Sequence, residues 1–171
     1  GAVSSLNSYA ALNDNVLLIC NWEIYNYHEL YELFPDDTAR TGSDCEIIIH
    51  MYKKYGIDYT LNNLDGVFAF CLIDLDKNKM YIARDPYGVR PLYHMKFDYH
   101  VKIKGYVTFH AFASEMKQMV PMSNKLIDSI KEGDTKPIVQ QFTPGTYSMF
   151  SLYEGSWKFK DDGDFRYENE R

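Results

Sequence analysis

Two apolar runs joined by three turn residues constrain the fold of this chain more than any other feature of its sequence. Val67–Leu75 (VFAFCLIDL) and Lys79–Arg84 (KMYIAR) flank Asp76-Lys77-Asn78. A connection that short leaves the two runs little choice but an antiparallel hairpin. Leu64–Phe70, which leads into it, reads as a turn followed by a core strand. Upstream, Asn15–Cys20 (NVLLIC) has the length and character of a buried strand, and Tyr25–Phe34 carries a helix-like apolar face ended by Pro35. Asp36–Gly42 is a polar loop.

Ser43-Asp44-Cys45-Glu46 fits a capping box, followed by apolar Ile47, Ile48, Met51, Tyr52 and Tyr55, with Gly56 as the stop. A shorter helix is predicted over Asp58–Leu64, ending at the Asp65-Gly66 turn. Beyond the hairpin, Pro91–Met95, Val101–Lys104 and Tyr106–Phe112 read as strands. Ser114–Val120 reads as a short helix stopped before Pro121, and Met122–Lys136 as the most linker-like stretch. Pro137–Tyr153 supplies strands around a Pro144-Gly145 turn, and Lys158–Arg171 is strongly polar. Strands in hairpins with helices clustered early predict a layered α+β domain.

Composition narrows the function. The net charge of −6, with no run of Lys or Arg, argues against nucleic-acid binding. The apolar stretches are strand-sized, so no membrane span is expected, and the start shows no signal-peptide pattern. Cys20, Cys45 and Cys71 sit in apolar or helical segments, which suggests reduced thiols and a cytoplasmic location. The five histidines show no metal-ligand spacing with one another or with the cysteines, so no metal is expected.

Six blocks combine turn residues, charge and apolar flanks: Asn21–Asn26 (NWEIYN), Thr41–Glu46 (TGSDCE), Leu64–Phe70 (LDGVFAF), Ala83–Tyr93 (ARDPYGVRPLY), Phe112–Lys117 (FASEMK) and Pro144–Tyr147 (PGTY). In this order they resemble the class II glutamine amidotransferase (glutaminase) domain of glutamine-hydrolysing asparagine synthetases, whose pattern reads NGEIYN, TGSDCE, LDGMFAF, ARDPxGxRPLY, FASExK and PGxY. The resemblance runs from about Asn15 to Tyr147. It implies an N-terminal-nucleophile-hydrolase-type sandwich of antiparallel sheets and helices, lacking its first strands as given. It further implies a glutaminase-like domain over residues 1–157 and a polar tail or linker over 158–171.

In that family an N-terminal cysteine, with its own α-amino group as base, attacks the glutamine carboxamide to give a thioester and ammonia. The resemblance makes Asn21 the oxyanion-hole side chain and Trp22 the residue whose backbone N–H is the second donor. Glu23 matches the glutamate beside the substrate, and Asp44 the carboxylate for the substrate's α-ammonium. Asp44 has a simpler reading as well, because a helix start favours a carboxylate whatever the function. Arg84, Asp85 and Arg90 are expected to form a structural ionic network around the Pro86-Tyr87-Gly88 turn, or to brace a neighbouring domain. Cys20 and Cys71 read as small core residues.

Two departures stand out. The family's nucleophile and its carboxylate-binding Arg block have no counterpart ahead of Asn21: Gly1 has no side chain, Ser4 and Ser5 are not terminal, and Arg40 is the sole arginine before Arg84. Trp22 stands where the family has Gly, which is expected to crowd the glutamine pocket. The chain as given is therefore expected to be inactive as a glutaminase. The alternative is a degenerate domain serving as a binding or structural module. No glycine-rich phosphate loop occurs, so no cofactor is expected on this chain, and ATP and Mg are expected only on an associated synthetase domain. Expected partners are glutamine, as substrate or remnant ligand, and a synthetase C-terminal domain or another chain, a second copy included.

Overall fold

A computed structural model describes residues 8–35, 43–102 and 105–165. The chain divides into two compact units, one formed by residues 1–90 and 143–171 and the other by residues 91–142. The first contains strands β1 (Ser8–Asn13), β2 (Val16–Ile24), β3 (Gly66–Asp74) and β4 (Lys79–Arg84), with helices α1 (Tyr27–Tyr31), α2 (Glu46–Tyr55) and α3 (Ile57–Asn63) between β2 and β3. The second contains β5 (Tyr93–Val101), β6 (Gly105–Ala113), α4 (Met116–Ser129) and β7 (Ile138–Gln141). Strands β8 (Thr146–Tyr153) and β9 (Ser156–Asp164) return to the first.

The first unit is built on a six-stranded sheet in the order β1-β2-β3-β4-β8-β9, antiparallel at each pairing. Alternation along β2 puts Val16, Leu18, Cys20 and Ile24 on one face. Register aligns Leu18 with Leu72 and Cys20 with Phe70 on β3, and those with Tyr81 and Ala83 on β4. All of these are buried with Ile47, Ile48, Met51, Leu61 and Leu64 from the helical layer. Each large aliphatic side chain taken fully from water contributes about 1.5–3 kcal/mol, so this shared core is what fixes the helices to the sheet.

Helix α2 ends as its sequence predicts. Gly56 adopts φ 84°, a left-handed conformation costly for other residues, and its N–H caps the Tyr52 carbonyl. Its beginning differs from the capping-box reading. The helix opens at Glu46, with Cys45 in the N-cap position and no side-chain cap from it, and Ser43 Oγ lies 3.3 Å from Cys45 Sγ. The carboxylate of Asp44 takes hydrogen bonds from β2, as described below.

Near the far end of α2, the hydroxyl of Tyr52 donates to Asp74 Oδ2 at 2.7 Å, and the Lys77 N–H donates to Oδ1 at 2.9 Å. Burial alone would push the Asp74 carboxyl up; the Lys77 N–H, the Tyr52 hydroxyl and the Lys77 ammonium together hold it below the usual carboxylate value. A carboxyl lowered by folding contributes stability above its unfolded pKa, and that contribution is lost as pH falls through the folded one. Asp74→Asn is therefore expected to cost about 1.5–3 kcal/mol near neutral pH. The difference from wild type should shrink below about pH 4. Urea unfolding of both proteins across that range checks it, and a pH-independent difference would refute the assignment.

Other segments differ from their sequence expectations. Pro121 does not stop a helix: α4 runs through it from Met116 to Ser129, into the stretch expected to be a linker. A proline there removes one i→i−4 hydrogen bond, which a fourteen-residue helix survives. In place of the two strands expected at Pro91–Met95 and Val101–Lys104 there is one, β5, which ends at Val101, with Lys102 in a turn; it pairs along its whole length with β6 and over Tyr93–Lys96 with β7. Ile103 and Lys104 lie outside the described residues, as do the loop 36–42 with Arg40, the N-terminal residues 1–7, and residues 166–171. Finally, Lys158–Asp164, expected to be exit or linker, forms most of β9 along the edge of the sheet. Phe165 beyond it is buried, 6.0 Å from Phe68 in stacked geometry.

Candidate functional site

The end of β2 carries Asn21, Trp22 and Glu23, and its position is fixed by the close approach of β3. Gly66 pairs with Ile24, and a Cβ at position 66 would lie 2.3 Å from the Glu23 carbonyl oxygen. Only glycine allows the two backbones to meet there. Tyr25 N–H donates to the Asp65 carbonyl at 2.7 Å, and the Asn26 carboxamide bridges to Asp65 N–H and Asn63 O. The Asp65-Gly66 turn thus clamps the strand carrying the candidate residues.

Strand alternation sends these residues to different sides. Trp22 shares the face of Cys20 and Ile24, where its ring packs against the hydrophobic core. Its indole N–H donates to Asp44 Oδ1, and the Ile24 backbone N–H donates to Asp44 Oδ2 at 3.0 Å. Asp44 thus takes hydrogen bonds from β2, while its place just ahead of α2 favours a carboxylate as well. Asn21 and Glu23 occupy the opposite face, with Asn21 half-buried across from Ala69 and Glu23 exposed.

Arg90 joins the two sides. Its Nη2 donates to the Trp22 carbonyl at 3.4 Å and lies 3.8 Å from Glu23 Oε2. Sequence reasoning placed Arg90 only in a structural network, because nothing in local spacing signals a contact across 68 residues. The loop that presents it is built around Asp85, whose side chain is fully buried. Asp85 Oδ1 accepts the N–H groups of Tyr87 at 3.0 Å and Val89 at 3.2 Å; Oδ2 accepts those of Arg90 and Phe68, each at 3.3 Å. Arg84, also buried, donates from Nε to the Arg90 carbonyl and from Nη2 to the Gly88 carbonyl, both at 2.8 Å. Arg84 and Asp85 thus fold the loop by gripping its backbone, while the Arg90 guanidinium extends to β2.

The cysteines are poor nucleophiles. Burial, a hydrogen bond with Cys45 and the nearby Asp44 charge push the Cys20 thiol well above its ordinary value. Burial pushes Cys71 up to about 12. Cys45 is fully buried. Thiolate, the reactive form, is therefore scarce at Cys20 and Cys71. Among the described residues no group of three or more His, Cys, Asp or Glu side chains is placed to hold a metal ion, and no helix is long and apolar enough to cross a membrane. A cleft lined by Asn13, Asp14, Phe34, His50, Lys53 and Lys54 lies at the other end of α2 from Asp44.

Comparison with known proteins bears on what this arrangement is. The sequence model of the glutamine amidotransferase domain family matches residues 8–160. The chain is 38% identical over 137 residues to the glutamine-hydrolysing asparagine synthetase of Mesocricetus auratus, covering 80% of this chain and 22% of that protein. It is 46% identical over 79 residues to the enzyme of the same name from Asparagus officinalis, covering 46% of this chain and 13% of the relative. The chain thus spans about a fifth of the length of the first of these relatives. Among solved structures, the glutamine phosphoribosylpyrophosphate amidotransferase from B. subtilis, complexed with ADP and GMP, superposes with a TM-score of 0.55 at 20% identity. That match covers 91% of this chain and 31% of the other. A structure described as the allosteric regulatory enzyme of purine biosynthesis gives 0.54 at 21% identity, covering 91% and 30%. Both share the layered α+β fold.

Proposed function

Because the chain belongs to the glutamine amidotransferase domain family, of the class II type found in asparagine synthetases, we propose that it supplies the glutamine-hydrolysing half of an asparagine synthetase-like protein. Glutamine is cleaved to glutamate and ammonia, and the ammonia amidates aspartate in an ATP-dependent step on a separate domain or chain. ATP and Mg belong to that second part, since this sequence contains no glycine-rich phosphate loop. A cytoplasmic location fits such metabolism.

The observation that carries the reading is the placement of Asp44 beside the Asn21–Glu23 end of β2, in a chain that preserves the family's blocks in order. Asp44 offers a carboxylate to an α-ammonium group on the Trp22 side of β2, while the Asn21 carboxamide, the oxyanion donor by resemblance, lies on the opposite face. None of Cys20, Cys45 and Cys71 suits the role of nucleophile, so the reading requires a terminal cysteine in the mature gene product. The test is to incubate the whole gene product with L-glutamine and with an electrophilic glutamine analogue. Glutamate should form, and the analogue should arrest its formation by modifying one thiol other than these three. Arrest through Cys20 or Cys71 would contradict the reading.

A second reading is favoured by Trp22. Its indole engages the carboxylate that an amino acid would need, as in a domain retained for structure or binding without turnover. Under that reading the whole gene product releases no glutamate.

A further inference from the structure

Trp22 and Asp44 are joined side chain to side chain. One carboxylate oxygen accepts the indole N–H and the other accepts the Ile24 backbone N–H. An indole N–H donated to a carboxylate replaces, in charge-poor form, what an ammonium group would donate. The indole ring is also about as large as a whole glutamine molecule. It packs against the core on the helix-facing side of β2, so its volume and its hydrogen bond are spent at one place.

We propose that the Trp22 side chain is an internal occupant of the amino-acid site: it fills the space and takes the carboxylate that an α-amino acid would otherwise use. This rests on the second reading above, a domain retained without turnover, with Asp44 as the ammonium-binding carboxylate of the site. Trp22 is then the residue that determines whether the site accepts any ligand, and its removal leaves a hole of amino-acid size lined by one unpaired carboxylate oxygen. A ligand ammonium regains the lost charge-assisted bond, which alone corresponds to about tenfold in affinity. A neutral aromatic ligand regains only the packing.

The experiment compares the whole gene product with its Trp22→Gly variant by calorimetry and thermal unfolding, using L-glutamine, N-acetyl-L-glutamine and indole as probes. The variant should bind glutamine at least about tenfold more tightly than wild type, N-acetylglutamine no better than wild type does, and indole measurably. Each bound ligand should raise the melting temperature of the variant. Equal glutamine binding by wild type and variant would overturn the proposal and leave the amino-acid site intact. Indole binding without glutamine binding would overturn the reading of Asp44 itself. If neither probe binds a variant that is folded by circular dichroism, Trp22 fills no ligand space and the proposal fails.

Should Trp22→Gly not fold, hydrogen exchange at the indole N–H decides. The protein has two tryptophans, and the Trp22 proton should be protected in wild type, unaffected by millimolar glutamine, and exposed by Asp44→Ala. A Trp22 proton that exchanges freely in wild type would sink the idea.

Discussion

Asp85→Ala is expected to lower the unfolding free energy by about 3–5 kcal/mol. The carboxylate is fully buried and accepts four backbone N–H groups, three from its own loop and one from Phe68 on β3. Alanine leaves all four donors without that partner, the Phe68 N–H in a buried bond and the other three in part-buried ones. Asparagine keeps one acceptor oxygen and should lose about half as much. Urea denaturation should show the midpoint falling with an unchanged slope. Because the same loop delivers the Arg90 guanidinium to the Trp22 carbonyl, the variant should also loosen the β2 terminus, seen as faster amide exchange at Glu23 and Ile24. A loss below about 1 kcal/mol would mean that water reaches these donors and that the loop is not organised by its carboxylate.

Gly66→Ala should cost about 3 kcal/mol, at the upper end of ordinary overpacking. The added methyl meets backbone rather than a flexible side chain, at 2.3 Å from Glu23 O and 2.9 Å from Ile24 Cα. Relief requires β2 and β3 to separate where Asp44 takes its hydrogen bond from Ile24. The substitution should therefore damage the site as well as the fold: any glutamine turnover by the whole gene product should fall by more than the loss of folded protein accounts for. Alanine tolerated at this position, with an unchanged melting temperature, would show that the two strands do not close as described.

What the sequence made legible was mostly local. The β3–β4 hairpin could be read because its turn is short and its strands are consecutive, and the end of α2 because Gly56 alone suits its φ of 84°. Polarity misled at β9. An edge strand can be charged along its length, since one side of it needs no neighbour, and β9 is held by pairing with β8 through a two-residue turn. In that turn Glu154 and Gly155 both take positive φ, the geometry that matches strand twist. Asn-Gly would have announced it; Glu-Gly did not.

The site was legible in its residue types and not in its directions. The ordered blocks named Asn21, Trp22, Glu23 and Asp44, yet Asn21 and Glu23 lie on one side of the sheet and Trp22, with the Asp44 that binds its indole, on the other. Period-two alternation implies that split once β2 is known to reach Ile24. The strand was expected to end at Cys20, because Asn21–Glu23 lacks the apolar character that marks a buried run. The Trp22–Asp44 bond and the approach of Arg90 are long-range contacts between segments separated by 22 and 68 residues, and no periodicity encodes them.

The order of strands in the six-stranded sheet also bears on how the chain assembles. Strands β1 to β4 pair in sequence order, but β8 must find β4 across an excursion of 52 residues, Pro91–Phe142, that forms a compact unit of its own. Closing such an excursion becomes harder only slowly with its length, by about 0.6 kcal/mol per doubling. Relatives can therefore lengthen or shorten this insert at little thermodynamic cost, provided its two ends still meet where Gly145 N–H reaches the Arg84 and Asp85 carbonyls. Among the pairings of this sheet, β4 with β8 joins the segments farthest apart in sequence, the kind of contact that contact order makes slow to form.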